Sequence, residues 1–361
     1  MGRIKMEDKQ EKIIDQVIKP QKTTRKDIEF YPSGITLIDL CLGGGFGKGF
    51  ISNICGWESA GKTMVACETL GYNHNNNKNF THKFDNAESG FTLNTKELFN
   101  FNINLIDPRS EKVEQFKYNV EQTINKLKED QDIIYVLDSL DGLSDDREQK
   151  KHKDDMKKIK KSIEEDKDSE IKGDYSGKAK GMSEFLRLKN SEINKTKMHL
   201  MITSQLRDKM GVVYGKKEER SGGKALNFYA SQIIWLKVIQ KLTRKVTVNG
   251  NSYERKVGTL VKVEVSKNKL GKALRECFIF IDFDYGIDNL KSNIYFLYDL
   301  LSPTGEIRKK EKIMWDDKEY SISGLIKYIE ENNLEKELEK RVQNLWYEIE
   351  ENISIERKKK Y

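Results

Sequence analysis

Gly56-Trp57-Glu58-Ser59-Ala60-Gly61-Lys62-Thr63 decides the fold of this 361-residue chain. It is a complete G-x-x-x-x-G-K-[ST] pattern. An apolar, strand-like run, Phe50 to Cys55, leads in, and a helix-like run, Met64 to Leu70, leads out. In that context the glycines let backbone N–H groups turn inward around phosphate oxygens, and the helix N-terminus adds a favourable dipole. All eight residues are nucleotide-binding candidates. Lys62 would reach the β- and γ-phosphates, and the Thr63 hydroxyl would ligate Mg²⁺. The alternative, a chance glycine-rich turn, is disfavoured because strand, loop and helix occur together.

The chain is long enough for one large domain, or one large and one small. It is 37% hydrophobic and 34% charged, which predicts a heavily ionised surface. A net charge of +7 is compatible with a nucleic-acid partner without establishing one. No apolar run approaches membrane-spanning length, and the N-terminus lacks the apolar segment of a signal peptide. Cys41, Cys55, Cys67 and Cys277 form no C-x-x-C pair, and they read as buried reduced thiols of a cytosolic protein.

Outward from the loop, strand candidates at Thr81–Asp85, Asp132–Leu137, Met198–Thr203 and Ser231–Val238 join Phe50–Cys55. Helical stretches separate the first four, so the pattern predicts an α/β fold with a parallel-dominated sheet flanked by helices. Lys245–Val248 and Thr259–Ser266 flank a turn at Asn249-Gly250-Asn251 and predict a β-hairpin. Residues 1–30 read as an N-terminal arm, and the spacing of Ile13, Ile14, Val17 and Ile18 suits one short amphipathic helix. It is either an oligomerisation arm or a frayed terminus. Residues 31–290 form the core. Residues 291–361 form a small helical C-terminal unit, with Leu325, Ile329, Leu334, Leu338, Val342, Leu345 and Ile349 at mostly helical spacing. The Asn-rich run from Asn73 to Asn79 reads as a surface loop. Asp145–Lys172, almost entirely charged, reads as a solvated helix or mobile loop, or else as a DNA- or partner-contacting excursion. The tail from Arg357 to Lys360 reads as disordered.

A nucleotide hydrolase needs a second Mg²⁺ anchor and a group that activates water. Asp138 closes the apolar strand Asp132–Leu137 at its carboxyl end, where α/β sites collect, and fits the anchor. After another strand, Phe84-Asp85-Asn86-Ala87-Glu88 offers two carboxylates near the expected γ-phosphate. Glu88 is the candidate base, with Asp85 as its rival. Gln205 ends a further strand, where it could touch the γ-phosphate. The loop after it carries Arg207, Lys209, Lys216, Lys217 and Arg220 as phosphate contacts and Met210 as an apolar wedge. It closes on Gly222 and Gly223, where a helix opens.

Between about Ser33 and Gly286, these motifs resemble the RecA family of recombinases, most nearly its bacterial and phage members. Gly56–Thr63, Val136-Leu137-Asp138-Ser139-Leu140 and Gly222–Ser231 look like family counterparts, and Gln205–Ser231 is the most specific stretch. The arm and the C-terminal unit are closer in style to phage recombinases. The resemblance implies a RecA-like P-loop core and raises Glu88 over Asp85 as catalytic glutamate, although Asn86 stands where the family often has Asp. It implies that Gln205 senses ATP and that Arg207–Gly223 is the second DNA-binding loop. Within that loop Met210 spaces base triplets, and Gly222 and Gly223 contact the strand. It implies a first DNA-binding loop at Gly173–Lys180, with Lys178 and Lys180, before a helix carrying Arg187. Lys267 and Lys269 match lysines that reach a neighbouring subunit's ATP.

The function so implied is an ATP- and Mg²⁺-dependent recombinase and DNA-dependent ATPase of recombination and repair. It would form helical homo-oligomeric filaments on single-stranded DNA and pair the strand with a homologous duplex. Single-strand-binding and mediator proteins would be further partners, in the cytoplasm of a bacterium or phage-infected cell. A ring-forming hexameric motor and a non-catalytic recombination mediator are the alternatives.

Overall fold

The computed structural model describes residues 28–145, 176–208, 218–220 and 223–357, together with Lys150, Asp154 and Met156. The expected arm helix, most of the charged stretch and the tail from Lys358 lie outside the described residues. So do 173–175, 209–217 and 221–222 of the two expected DNA loops.

The apolar lead-in forms strand β3, Ile51–Gly56, buried along its whole length, after a short pair of strands, β1 (Phe30–Tyr31) and β2 (Phe46–Gly47). On one side of β3 lie β6 (Met198–Asp208), β5 (Asp132–Asp138) and β4 (Phe80–Asn86), all parallel. On the other side β8 (Gln232–Val248) is also parallel. The sheet then continues antiparallel through β9 (Asn251–Asn268), β10 (Glu276–Asp282) and β11 (Gly286–Asp288). A short β7, Glu218–Arg220, pairs antiparallel with the end of β6. Among the described residues the sheet is therefore mixed, where the strand–helix alternation predicted parallel dominance. The parallel half comes from the strands separated by helices. The antiparallel half comes from tight reversals, which need no crossover helix.

The expected hairpin is longer than the sequence pattern suggested. Its strands begin at Gln232 and end at Asn268, and they reverse at Asn249 (φ 52°) and Gly250 (φ 79°). Two successive positive φ values define a primed turn, whose twist matches that of the flanking strands.

Helices cover both faces of the sheet. On one face α1 (Thr36–Leu42) and α2 (Lys62–Asn76) bury Leu37, Ile38, Val65 and Leu70 against Ile134 and Val136 of β5. Short α3 (Thr95–Phe99) adds Phe99 to this side. On the other face α4 (Val113–Lys126), α5 (Ser176–Asn194) and α6 (Gly223–Tyr229) bury Phe116, Leu186 and Leu226 against Ile133 and Tyr135. The alternation along β5 follows the period of two of a strand buried on both sides. Phe116 stacks edge-on between Phe185 at 5.3 Å and Tyr135 at 6.0 Å, so truncation to Ala would cost about 3–5 kcal/mol.

The C-terminal unit is not purely helical. α7 (Asn289–Leu297) leads to a hairpin of β12 (Ile313–Trp315) and β13 (Lys318–Tyr320), then α8 (Ile322–Glu331) and α9 (Glu335–Asn352). Trp315, Leu325, Ile329, Leu338 and Val342 join the same hydrophobic cluster as α1 and α2, so this unit shares the core of the sheet. Arg341 lies 3.8 Å over the Trp315 ring, and Glu350 accepts at 2.7 Å from both Lys272 and Arg275. All four cysteines are buried and none is in a disulfide. Among the described residues no helix is long and apolar enough to cross a membrane.

Candidate active site

The phosphate-loop pattern folds as a strand–loop–helix unit. Ser59 (φ 58°) and Gly61 (φ 90°) take left-handed conformations, and α2 begins at Lys62. Left-handed turns let successive N–H groups converge in front of the helix N-terminus, an anion-binding geometry. Gly61 also sits close to the sheet: an added Cβ would lie 2.5 Å from Ile281 Cδ1, the end of a side chain that would have to turn aside.

Residues Glu58–Met64 border a cavity of about 350 Å³, closed by Glu88, Asp138, Gln205, Ile281 and Phe283. Gly56 and Trp57 contribute through their carbonyl groups, which accept from Lys62 Nζ at 3.1 and 2.9 Å. The Trp57 indole instead borders a separate hollow of about 550 Å³ with Leu206 and Trp235.

Asp138 sits at the end of β5 as expected, nearly fully buried. Its carboxylate accepts from Thr63 Oγ1 at 2.7 Å and from Thr203 Oγ1 at 2.6 Å. Burial raises its pKa above the usual carboxylate value, opposed by those hydroxyl bonds, while the Glu88 charge raises it further. Burial lowers the pKa of Lys62, opposed by the charges of Asp138, Glu88 and Asp141. Both groups thus lie where their charged forms are disfavoured, and a phosphate beside Lys62 or a cation beside Asp138 would relieve that cost. A buried carboxylate next to a threonine hydroxyl and an ammonium fits Mg²⁺–nucleotide.

The two rival carboxylates separate cleanly. Asp85 is fully buried away from the cavity, accepting from Ser110 N at 2.8 Å, Ser110 Oγ at 2.5 Å and Tyr135 OH at 2.8 Å. With those partners it acts as a structural acid. Glu88 is exposed on the cavity wall, and its Oε1 accepts from Gln205 Nε2 at 2.9 Å and from Ser139 Oγ. Gln205 is held in turn through its backbone N–H, which donates to Asp141 Oδ2 at 2.7 Å.

The remaining expected residues scatter around this centre. Lys178 Nζ donates to Asp141 O at 3.2 Å, which ties the start of α5 to the same turn. Lys180 and Arg187 are exposed farther along α5. Arg207 lies in β6, Arg220 in β7, and Gly223 opens α6. Lys209, Met210, Lys216, Lys217 and Gly222 lie outside the described residues. Lys267 and Lys269 do not border the cavity. Lys267 Nζ donates to Asn227 O at 2.5 Å and Phe228 O at 3.1 Å, and Lys269 Nζ to Phe228 O at 3.4 Å. They sit at the C-terminal end of α6, where carbonyls attract cations.

Sequence reasoning missed Thr203, Ser139 and Asp141, although each flanks a residue it singled out. Strand periodicity gave one usable signal: Thr203 lies two residues before Gln205 and so shares its face. Ile281 and Phe283 come from the antiparallel half of the sheet, and no local pattern marks them.

A phosphate loop, a buried strand-end aspartate and a glutamate just beyond the end of the neighbouring strand define a P-loop nucleoside triphosphatase. The comparisons carry this further. Residues 6–288 match the family model for the RecA N-terminal domain. A protein RecA of Nostoc punctiforme is 31% identical over 323 residues, covering 85% of this chain and 77% of that protein. A protein RecA of Mesoplasma florum is 27% identical over 294 residues, covering 79% of this chain and 78% of that one. A solved structure of the RadB recombinase aligns with a TM-score of 0.46 at 16% identity, covering 72% of this chain and 98% of its own. The chain belongs to the RecA family. It is a RecA-like DNA recombinase with DNA-dependent ATPase activity.

Proposed function

We propose that the chain binds ATP–Mg²⁺ in the cavity between the phosphate loop and Glu88 and hydrolyses it within a helical filament on single-stranded DNA. Lys62 and the loop N–H groups hold the phosphates. Thr63 and Asp138 hold Mg²⁺, which when bound offsets phosphate charge. Glu88 takes the proton from the attacking water. Gln205 contacts both the γ-phosphate region and Glu88. It continues through Leu206 and Arg207 into the second DNA loop, whose cations bind the strand backbone. Lys178, Lys180 and Arg187 add contacts from the first. In a filament, Lys267 and Lys269 would leave the end of α6 and face the neighbouring subunit's nucleotide. The filament then pairs its strand with a homologous duplex, aided by single-strand-binding and mediator proteins in the cytoplasm.

One observation carries this reading: the Gln205 amide bonded to Glu88 at 2.9 Å, on the strand that leads into the DNA loop. The test is steady-state ATP hydrolysis with and without single-stranded DNA, for wild type and Glu88→Gln. Strong DNA stimulation that the variant loses is the expected result. Hydrolysis indifferent to DNA would break the link between the sites and favour the ring motor. Absent turnover would favour the mediator.

A further inference from the structure

One buried hydroxyl supports the cation side of the cavity from behind. Thr203 lies on β6, and its side chain is fully buried. β5 and β6 run parallel with Leu137 opposite Ile202, so the next step along both strands sets Asp138 beside Thr203. Asp138 is two residues past Val136, and Thr203 two past Met201, so both share the face of the sheet that α2 covers. Thr63 and Asp138 border the cavity, and Thr203 does not.

A threonine in a strand has an ordinary explanation, β propensity with the hydroxyl returned to a backbone carbonyl. The distances decide against it. Thr203 Oγ1 is 3.3 Å from Leu137 O and 2.6 Å from Asp138 Oδ1. A hydroxyl has one proton to donate, and the shorter contact has the length of a charge-assisted bond, so the proton goes to the carboxylate. Thr63 Oγ1, on α2, donates to the other oxygen, Oδ2, at 2.7 Å. Lys62 Nζ is bonded instead to the carbonyls of Gly56 and Trp57. Among the described residues the Asp138 carboxylate is thus held by two hydroxyls, one on each oxygen, and lone pairs stay open on both.

We infer that Thr203 is a positioning residue for Mg²⁺: its hydroxyl fixes Asp138 Oδ1, and with it the plane of the carboxylate, so that Oδ2 stays beside the Thr63 hydroxyl. The terminal torsion of an aspartate is broad, and a bond to Oδ2 alone leaves it open. The second bond closes it before a cation arrives. Without the hydroxyl, Oδ1 is a buried acceptor with no donor, and the carboxylate turns to find one. The inference rests on the reading that Thr63 and Asp138 hold Mg²⁺, and its test separates the two.

The experiment measures binding of a slowly hydrolysed fluorescent ATP analogue over a buffered series of free Mg²⁺, and again in EDTA. The proteins are wild type, Thr203→Val, Thr203→Ala, Thr203→Ser and Asp138→Asn. Loss of an outer partner of a metal ligand lowers metal affinity, so Thr203→Val and Thr203→Ala should raise the half-saturating Mg²⁺ concentration about 10- to 100-fold. Nucleotide affinity in EDTA should stay within about twofold, because the phosphate loop is untouched. Thr203→Ser keeps the hydroxyl and should stay within about threefold of wild type in its Mg²⁺ requirement. In turnover the loss should fall on that requirement rather than on kcat at saturating Mg²⁺. Thr203→Ala carries the test by itself if Thr203→Val does not fold. A wild-type Mg²⁺ requirement in the hydroxyl-free variants overturns the inference. So does a serine variant as impaired as the valine one, which would make the effect one of volume. An equal loss in EDTA also overturns it, because the whole site would then have moved. Asp138→Asn decides the underlying reading: it should shift the requirement at least as far, and no shift there removes Asp138 from the Mg²⁺ site itself.

Discussion

Gly142→Ala should slow ATP hydrolysis without touching the nucleotide. Gly142 closes the short turn Leu140–Gly142 after Asp138. A Cβ built there falls 2.6 Å from Ala87 O and 2.9 Å from Glu88 N. Both are backbone atoms, so no rotamer change relieves the overlap. Restoring the closest contact from 2.6 Å to an ordinary 3.4 Å needs about 0.8 Å of movement, shared between the turn and the end of β4. Glu88 rides on the displaced segment, while Gln205 is anchored to Asp141 on the other side of the contact. A misplacement near 1 Å of a general base costs on the order of 10² in rate. We therefore expect kcat for single-strand-stimulated hydrolysis to fall roughly 30- to 100-fold, with nucleotide affinity within about threefold, because Lys62 and the loop stay in place. The assay pairs steady-state turnover with equilibrium binding of a fluorescent ATP analogue. A kcat within twofold of wild type in a folded Gly142→Ala protein would refute the positioning argument and remove Glu88 as the water-activating group.

Lys62→Ala should abolish turnover and weaken nucleotide binding, because a buried cation facing the phosphates is lost; undiminished turnover would remove the loop from the mechanism. Glu88→Gln mixed one-to-one with Lys267→Ala/Lys269→Ala should recover about a quarter of wild-type turnover. Random head-to-tail assembly places an intact glutamate opposite an intact lysine pair at about one interface in four. No recovery would place the lysines and Glu88 in the same subunit's site. His199, fully buried between Ser52 Oγ and Gly47 O at 2.8 Å each, is pushed down to about 4 by burial. It stays neutral in the fold while the unfolded chain takes up a proton below about 6.5, so its contribution is complete above that pH and is lost as pH falls toward 4. Between pH 7 and 4.5 His199 should account for about 2–3 kcal/mol of the loss by urea titration, so His199→Gln should lose that much less, while His82, also pushed down to about 4 by burial, keeps its own share. An equal drop in the variant would show that other groups carry it.

The parts of the protein legible in its sequence are those whose signal is local. The phosphate loop, its flanking strand and helix, and Asp138 at a strand end all depend on neighbours within a few residues. The Asn249-Gly250 reversal was legible for the same reason: two adjacent residues tolerate positive φ. The length of the hairpin was not. Residues 239–244, Ile-Gln-Lys-Leu-Thr-Arg, lack clean alternation with what precedes them because Ile239 is an extra residue between Val238↔Val261 and Gln240↔Leu260, and Val257 is a second one in the partner strand, between Leu242↔Gly258 and Thr243↔Lys256. Each shift turns the following side chains to the other face and hides the period of two. The choice between Asp85 and Glu88 was likewise beyond local pattern. It depends on Ser110 and Tyr135, which satisfy Asp85 from distant parts of the chain and leave Glu88 at the cavity. The C-terminal hairpin around Trp315 was masked by short strands, three residues each, between charged turns.

The cavity and the described edges of the two loops proposed to bind DNA are physically joined through one strand and one turn. Along β6, Thr203 bonds the Asp138 carboxylate, Gln205 bonds Glu88, and Leu206, Arg207 and Asp208 pair with β7 inside the second loop. Thr203 and Gln205 share a face, so a displacement along this strand moves both contacts together. The turn after Asp138 receives the other connections: Asp141 accepts from Gln205 N through its side chain and from Lys178 Nζ through its carbonyl. Lys178 belongs to the helix that opens beside the first loop. Under the proposed reading, a γ-phosphate that draws Gln205 away from Glu88 must also shift its anchor on Asp141, and with it the root of each loop. Only a differential contact of this kind lets one phosphate bias DNA affinity, because a ligand that touches both states equally shifts neither.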